Sequence, residues 1–166
     1  MTRLDVDSLA PGDGALALRS FPRRYRETFE GTRRRSRAGR VGPDGVSPLE
    51  LLADTVRSLS ALERALEQVL TENRPVLNAA VLDPSTRAFD SGVGDLDDEA
   101  RRPRAHRSRA FADRVDRVGG DDWAREATVT GGGTATALDV LREAVRTGAD
   151  NLRTADRLLE RPGPDD

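Results

Sequence analysis

Apolar residues recur at three- and four-residue steps through "SPLELLADTVRSLSALERALEQVL": Leu49, Leu52, Val56, Leu59, Leu66 and Leu70 fall on one helical stripe. Ser47 is placed to cap this segment, Pro48 suits its first turn, and Glu50 completes the capping-box spacing, so a helix is predicted over 47–71. The same rhythm returns near the end of the chain. Leu138, Leu141, Val145, Leu152, Ala155 and Leu159 share a face, and Thr136 with Asp139 repeats the capping-box spacing. A helix is predicted over 135–160, with three glycines as a turn before it and a frayed tail at 161–166.

Two further helices are predicted. In "SFPRRYRETFE", Ser20 is a candidate cap, Pro22 lies in the first turn, and Phe21, Tyr25 and Phe29 follow one another by turns, giving a helix over 20–30. The segment 96–118 is capped by Asp95 and acid-rich at its start; Pro103 limits its firm part to 104–118, with Phe111, Val115 and Val118 as core positions. Between the second and third helices lies "TENRPVLNAAVLDPSTRAFDSGVG", too long for a tight hairpin and able to act as a crossover that leaves neighbouring helices parallel. Residues 119–133 form a loop with a short strand at Ala127–Thr130, and 31–46 is expected to be a flexible Arg- and Gly-rich loop. These elements fit one domain spanning 1–166, all-α, built as a four-helix bundle.

Composition narrows the chemistry. The 166 residues carry a net charge of −2, and all 27 basic residues are arginine. Cysteine is absent, which removes disulfides and thiolate chemistry. No segment suits a signal peptide or a membrane span, so a cytoplasmic protein without membrane partners is expected.

Four stretches together resemble the DinB-like helical-bundle family, which includes mycothiol-dependent maleylpyruvate isomerase. They are "ALALRSFPRRYRETF", "SPLELLADTVRSL", "ENRPVLNAAVLDP" and "DDWAREATVTGGGTATALDVLREAVRTGADNLR". The resemblance implies an up-down-down-up bundle with a long crossover, often a homodimer. It also implies a divalent metal held by a histidine of the second long helix and an i, i+4 pair of the last. Such a pair shares one helix face, and three protein ligands leave positions open for water, a thiol or substrate.

Here those positions are Asp54, Thr147 and Asn151, so each departs from the family's pattern. One carboxylate with two neutral oxygens suits at most a weakly bound hard cation. A register one residue away would nominate Arg146 and Asp150, which with Asp54 would form an ion-paired cluster. Neither register gives a triad. On the helical wheel Asp54 shares a stripe with Ser58, Ala61 and Ala65, either a second buried seam against the last helix or a solvent-facing strip. The three residues are then ordinary polar positions or a remnant ligand pocket. Trp123 fits a lid over the bundle end or the mouth of a pocket.

Other signals are weaker. His106 stands alone among arginines and suits a solvated helix face. "TGGGT" lacks the Gly-Lys-Ser/Thr ending of a phosphate loop. Nine arginines face two glutamates between Arg19 and Arg40, a local excess suited to phosphates, but no nucleic-acid-binding signature accompanies it. The expectation is therefore a DinB-like bundle without a functional metal triad or cofactor, non-catalytic or binding a small molecule. The alternatives are a divalent-metal-dependent thiol transferase, isomerase or hydrolase, and an arginine-loop nucleic-acid binder.

Overall fold

A computed structural model of the protein describes residues 5–83 and 104–161, which are mostly helical with one small sheet. The elements are α1 (Pro11–Phe29), α2 (Thr32–Arg37), α3 (Pro48–Thr71), β1 (Val76–Leu77), α4 (Ala79–Leu82), α5 (Arg104–Val115), β2 (Glu126–Val129), β3 (Thr134–Thr136) and α6 (Ala137–Glu160). A 3-10 turn, Asp121–Ala124, precedes β2. The Asp95 cap and residues 96–103 of the expected third helix, the side chain of His106, and tail residues 162–166 lie outside what is described.

Both predicted capping boxes are present. Ser47 Oγ accepts from Glu50 N at 3.3 Å while Ser47 N donates to Glu50 Oε2 at 2.7 Å. Thr136 Oγ1 accepts from Asp139 N at 3.1 Å while Thr136 N donates to Asp139 Oδ2 at 2.8 Å. Each box satisfies N–H groups that a helix start leaves without partners.

The first helix begins nine residues before the expected Ser20, at Pro11. Pro11 sits where a missing N–H costs nothing, and Asp13 in the first turn complements the helix dipole. Pro22 consequently lies inside the helix, and Ser20 is no cap: its hydroxyl donates to Ala17 O at 2.7 Å. Gly14 is a contact point within this helix. A Cβ there would lie 2.8 Å from Leu141 Cδ2.

The expected flexible loop at 31–46 contains α2. Its arginines hold it: Arg34 pairs with Asp156 at 2.7 Å, and buried Arg37 donates to Leu159 O at 3.3 Å. The last turn of a helix offers unpaired carbonyls and a negative dipole end, which is where α2 docks these cations.

The chain is broadly helical, and the strand expected at Ala127–Thr130 is β2, the middle strand of a three-stranded sheet in the order β1-β2-β3. β1 pairs parallel with β2 (Val76 with Thr128), and β2 pairs antiparallel with β3 (Ala127 with Ala135). The glycines of "TGGGT" make the β2–β3 turn rather than a turn directly before a helix. Gly131, Gly132 and Gly133 have φ of 90°, 116° and 90°, which side chains resist. Leu77, Ala127 and Ala135 point inward from the sheet.

Helix directions follow from the contacts. Arg125 Nε donates to Val69 O at 3.0 Å, and Ala137 N donates to Arg125 O, so the start of α6 meets the end of α3. Asn151 meets Leu51 and Asp54 further along, making α3 and α6 antiparallel. α1 runs with α6, since Gly14 faces Leu141 and Tyr25 reaches Gly148. α5 packs on α1 and α3, with Arg19 bonded to Asp113 and Asp116, and Arg114 to Glu63 and Glu67. One core joins these helices to Trp123 and the sheet. On α3 the buried stripe is shifted from the expected one. Leu49 is 44% exposed and Val56 only half-buried, while Thr55, Ser58 and Ala65 are buried, because α6 covers the small-residue side.

Candidate functional site

The two positions from opposite helices meet. Asn151 Nδ2 donates to Asp54 Oδ2 at 2.9 Å and lies 3.1 Å from Thr55 Oγ1 and 3.4 Å from Leu51 O. Their antiparallel packing places residue 151 one turn from the start of α3. Small side chains at Ser58, Ala61 and Ala65 let the two backbones approach, and Ser58 and Ala65 are buried. The stripe carrying Asp54 is thus a buried seam, with Asp54 itself half-buried at its end.

Thr55, beside Asp54, carries the network inward. Its hydroxyl lies 2.8 Å from Tyr25 Oη, and Tyr25 Oη donates to Gly148 O at 3.1 Å. Thr55 Oγ1 also lies 2.8 Å from Leu51 O. Each hydroxyl has a single proton, so two arrangements exist. In one the chain runs Asn151 to Thr55 to Tyr25 to Gly148 O; in the other Tyr25 donates to Thr55, which donates to Leu51 O. Burial pushes the Tyr25 hydroxyl well above the ordinary phenol range, and the nearby Asp54 charge acts in the same direction. The hydrogen bond from Thr55 and the charge of Arg24 oppose this without reversing it. Tyr25 is a neutral hydrogen-bonding group at any ordinary pH.

Thr147, the third position, is buried and turned to a different partner. Its hydroxyl donates to Glu143 Oε1 at 3.0 Å. The Glu143 carboxylate, also buried, accepts from Arg146 at 2.7 Å, and Arg146 reaches on to Asp7 at 2.7 Å. Asp150 pairs with Arg153 at 3.0 Å. The ion-paired cluster that the neighbouring register would give does not form, because Arg146 and Asp150 bind partners other than Asp54.

The donor set does not fit a divalent metal. The Asn151 amide presents N–H groups, not a lone pair, to the Asp54 carboxylate. Reversing that amide would set its oxygen against the carboxylate instead. Thr147 spends its proton on Glu143. Among the described residues no group of three or more His, Cys, Asp or Glu side chains is placed to hold a metal ion.

Trp123 lies elsewhere. It is 8% exposed in the 3-10 turn that leads, two residues later, to the bonds of Arg125 with the end of α3. Val69 is fifteen residues beyond Asp54, about 22 Å along the helix. The indole therefore caps the far end of the core from the Asp54–Asn151 pair.

Sequence reasoning missed Tyr25, Thr55 and Glu143 as polar members of this interior. The available signals were the lone tyrosine on an apolar stripe, and a glutamate four residues before Thr147 on the same face. Among the described residues no helix is long and apolar enough to cross a membrane. No protein-family model, curated protein or solved structure matches the chain.

Proposed function

We propose that the chain is a DinB-like four-helix bundle whose metal positions have become a hydrogen-bonded seam, and that it is a non-catalytic, small-molecule-binding protein. The helix directions support the bundle reading: α1 and α6 run one way and α3 the other. α5 lies beside both α1 and α3, with Arg19 against Asp113 and Asp116 and Arg114 against Glu63 and Glu67. These directions are compatible with an up-down-down-up order.

The observation that carries the functional reading is the Asn151 amide donating onto the Asp54 carboxylate at 2.9 Å. A metal there would have to displace that bond and would gain one carboxylate and two weak neutral ligands in return. The arginine run gives little support to a nucleic-acid binder, since Arg34 and Arg37 are committed to the end of α6.

The test is metal content by inductively coupled plasma mass spectrometry on protein purified without chelator or histidine tag. Melting is then followed with zinc, nickel, manganese and magnesium. Substoichiometric metal and an unmoved Tm are expected. Near-stoichiometric metal, or a metal-dependent rise in Tm that is lost in Asp54→Ala, would overturn the reading in favour of a metal-dependent transferase, isomerase or hydrolase.

A further inference from the structure

An open groove of about 1340 Å³ runs between α1, the segment before it, and α6. Buried Leu9, Phe21 and Leu152 form its floor, and Leu16 stands on its rim 64% exposed. Three arginines line it, Arg34 of α2 among them, and the other two come from opposite helices. Arg24 comes from α1 and Arg153 from α6. Because Phe21 and Tyr25 both meet Gly148, residues 24 and 153 lie within about two helical turns of the same level.

The two cations differ in how they are held. Arg153 rests on Asp150, an exposed neighbour on its own helix, and such pairs are weak. Arg24 is half-buried, and no carboxylate among the described residues pairs with it. The nearby acids are taken: Glu27 binds Arg23 at 2.6 Å, and Asp156 binds Arg34 at 2.7 Å. A guanidinium partly removed from water favours an anionic partner that can follow it there. Of the other acids of the groove, Asp13 is eleven residues, about 16 Å of helix, from Arg24, while Asp5 shares a smaller cleft with Arg153. Arg24 is thus the cation beside the apolar floor that no carboxylate among the described residues pairs with.

We propose that this groove binds a small organic anion with an apolar body, the head group on Arg24 and Arg153 and the body across Leu9, Phe21 and Leu152. The proposal deepens the small-molecule-binding reading above but uses a different face of α6 from the Asp54 seam. A positive metal result would overturn that reading and leave this site standing.

Fluorescence titration of the full chain with 1-anilinonaphthalene-8-sulfonate, with decanoate as competitor, tests it. Saturable binding near one per chain, displaced by decanoate, is expected. Arg24→Gln should weaken it about tenfold, the effect of one charge-assisted hydrogen bond. Ala17→Trp, which fills the floor, should abolish binding, and Arg35→Gln on exposed α2 surface should leave it unchanged. Three results would overturn the proposal: no saturable binding, equal affinity in Arg24→Gln, or equal affinity for a naphthyl ammonium cation. The Arg24→Gln comparison holds even if Ala17→Trp does not fold.

Discussion

At Gly148 a hydrogen atom does what no side chain could. A Cβ there would lie 2.6 Å from Phe21 Cζ, inside the ring's contact distance. The absence of that Cβ lets α1 settle on α6, and one turn beyond Phe21 the Tyr25 hydroxyl reaches the Gly148 carbonyl. Alanine is the better helix former by about 0.5–1 kcal/mol, yet overpacking a rigid ring costs about 1–3 kcal/mol. Gly148→Ala is therefore expected to destabilise the protein by about 1–2 kcal/mol on balance. Gly14→Ala meets only the branched end of Leu141, which can rotate away, and is expected near neutrality. Urea denaturation of the two variants checks this, and equal losses would refute the assignment of Phe21 as the rigid neighbour.

At the scale of elements, what was legible was local. α3 and α6 each announce themselves by a cap and a 3.6-residue stripe, and both start where the capping boxes place them. The cap of α3 carries a consequence for acid stability. The Ser47 hydroxyl, and then its backbone N–H, hold the Glu50 carboxyl below the ordinary value of 4.5. A carboxylate held low in the folded state contributes stability above its unfolded pKa, and that contribution is lost as the pH falls through the folded value. Ser47→Ala is thus expected to cost about 1 kcal/mol at pH 7. Its cost should shrink in acid below the ordinary glutamate range, read from urea midpoints in both conditions. A cost independent of pH would mean that the hydroxyl acts only on the Glu50 N–H.

The elements that were not legible depend on partners distant in sequence. α1 absorbs Gly12, Gly14 and Pro22 because its face packs on α6 and α5, which outweighs weak local propensity. α2 forms where six residues rich in arginine look solvated, because the end of α6 supplies acceptors more than a hundred positions away. β1 is two residues long and has no signal without β2. The candidate site divides in the same way. The helical wheel placed Asp54 on a small-residue stripe, either buried or solvent-facing, and the resemblance nominated Thr147 and Asn151 as an i, i+4 pair on one face. The choice of Asn151 for Asp54, and of Glu143 for Thr147, is a matter of interhelical register and rotamer that periodicity does not encode.

Across the whole molecule, one apolar core runs from Leu52 and Leu152 beside the Asp54 seam to Trp123, Leu77 and Ala127 at the sheet end. Long antiparallel helices span that length, so opening either end exposes the same α3 and α6 faces. The protein should consequently unfold as one unit. Trp123, the single tryptophan, is a reporter for the sheet end, while far-UV ellipticity reports the helices. Native emission should be that of a buried indole, and its red shift should superimpose on the loss of ellipticity in both thermal and urea unfolding. An earlier tryptophan transition would show that the sheet and its 3-10 turn open separately from the helices. If the transitions coincide, a ligand that prefers the folded state must delay both signals equally, wherever it binds. Tryptophan emission then monitors stabilisation by an anion in the α1–α6 groove or a metal at Asp54, although the Val69 carbonyl that Arg125 binds just after the indole is about 22 Å of helix from Asp54.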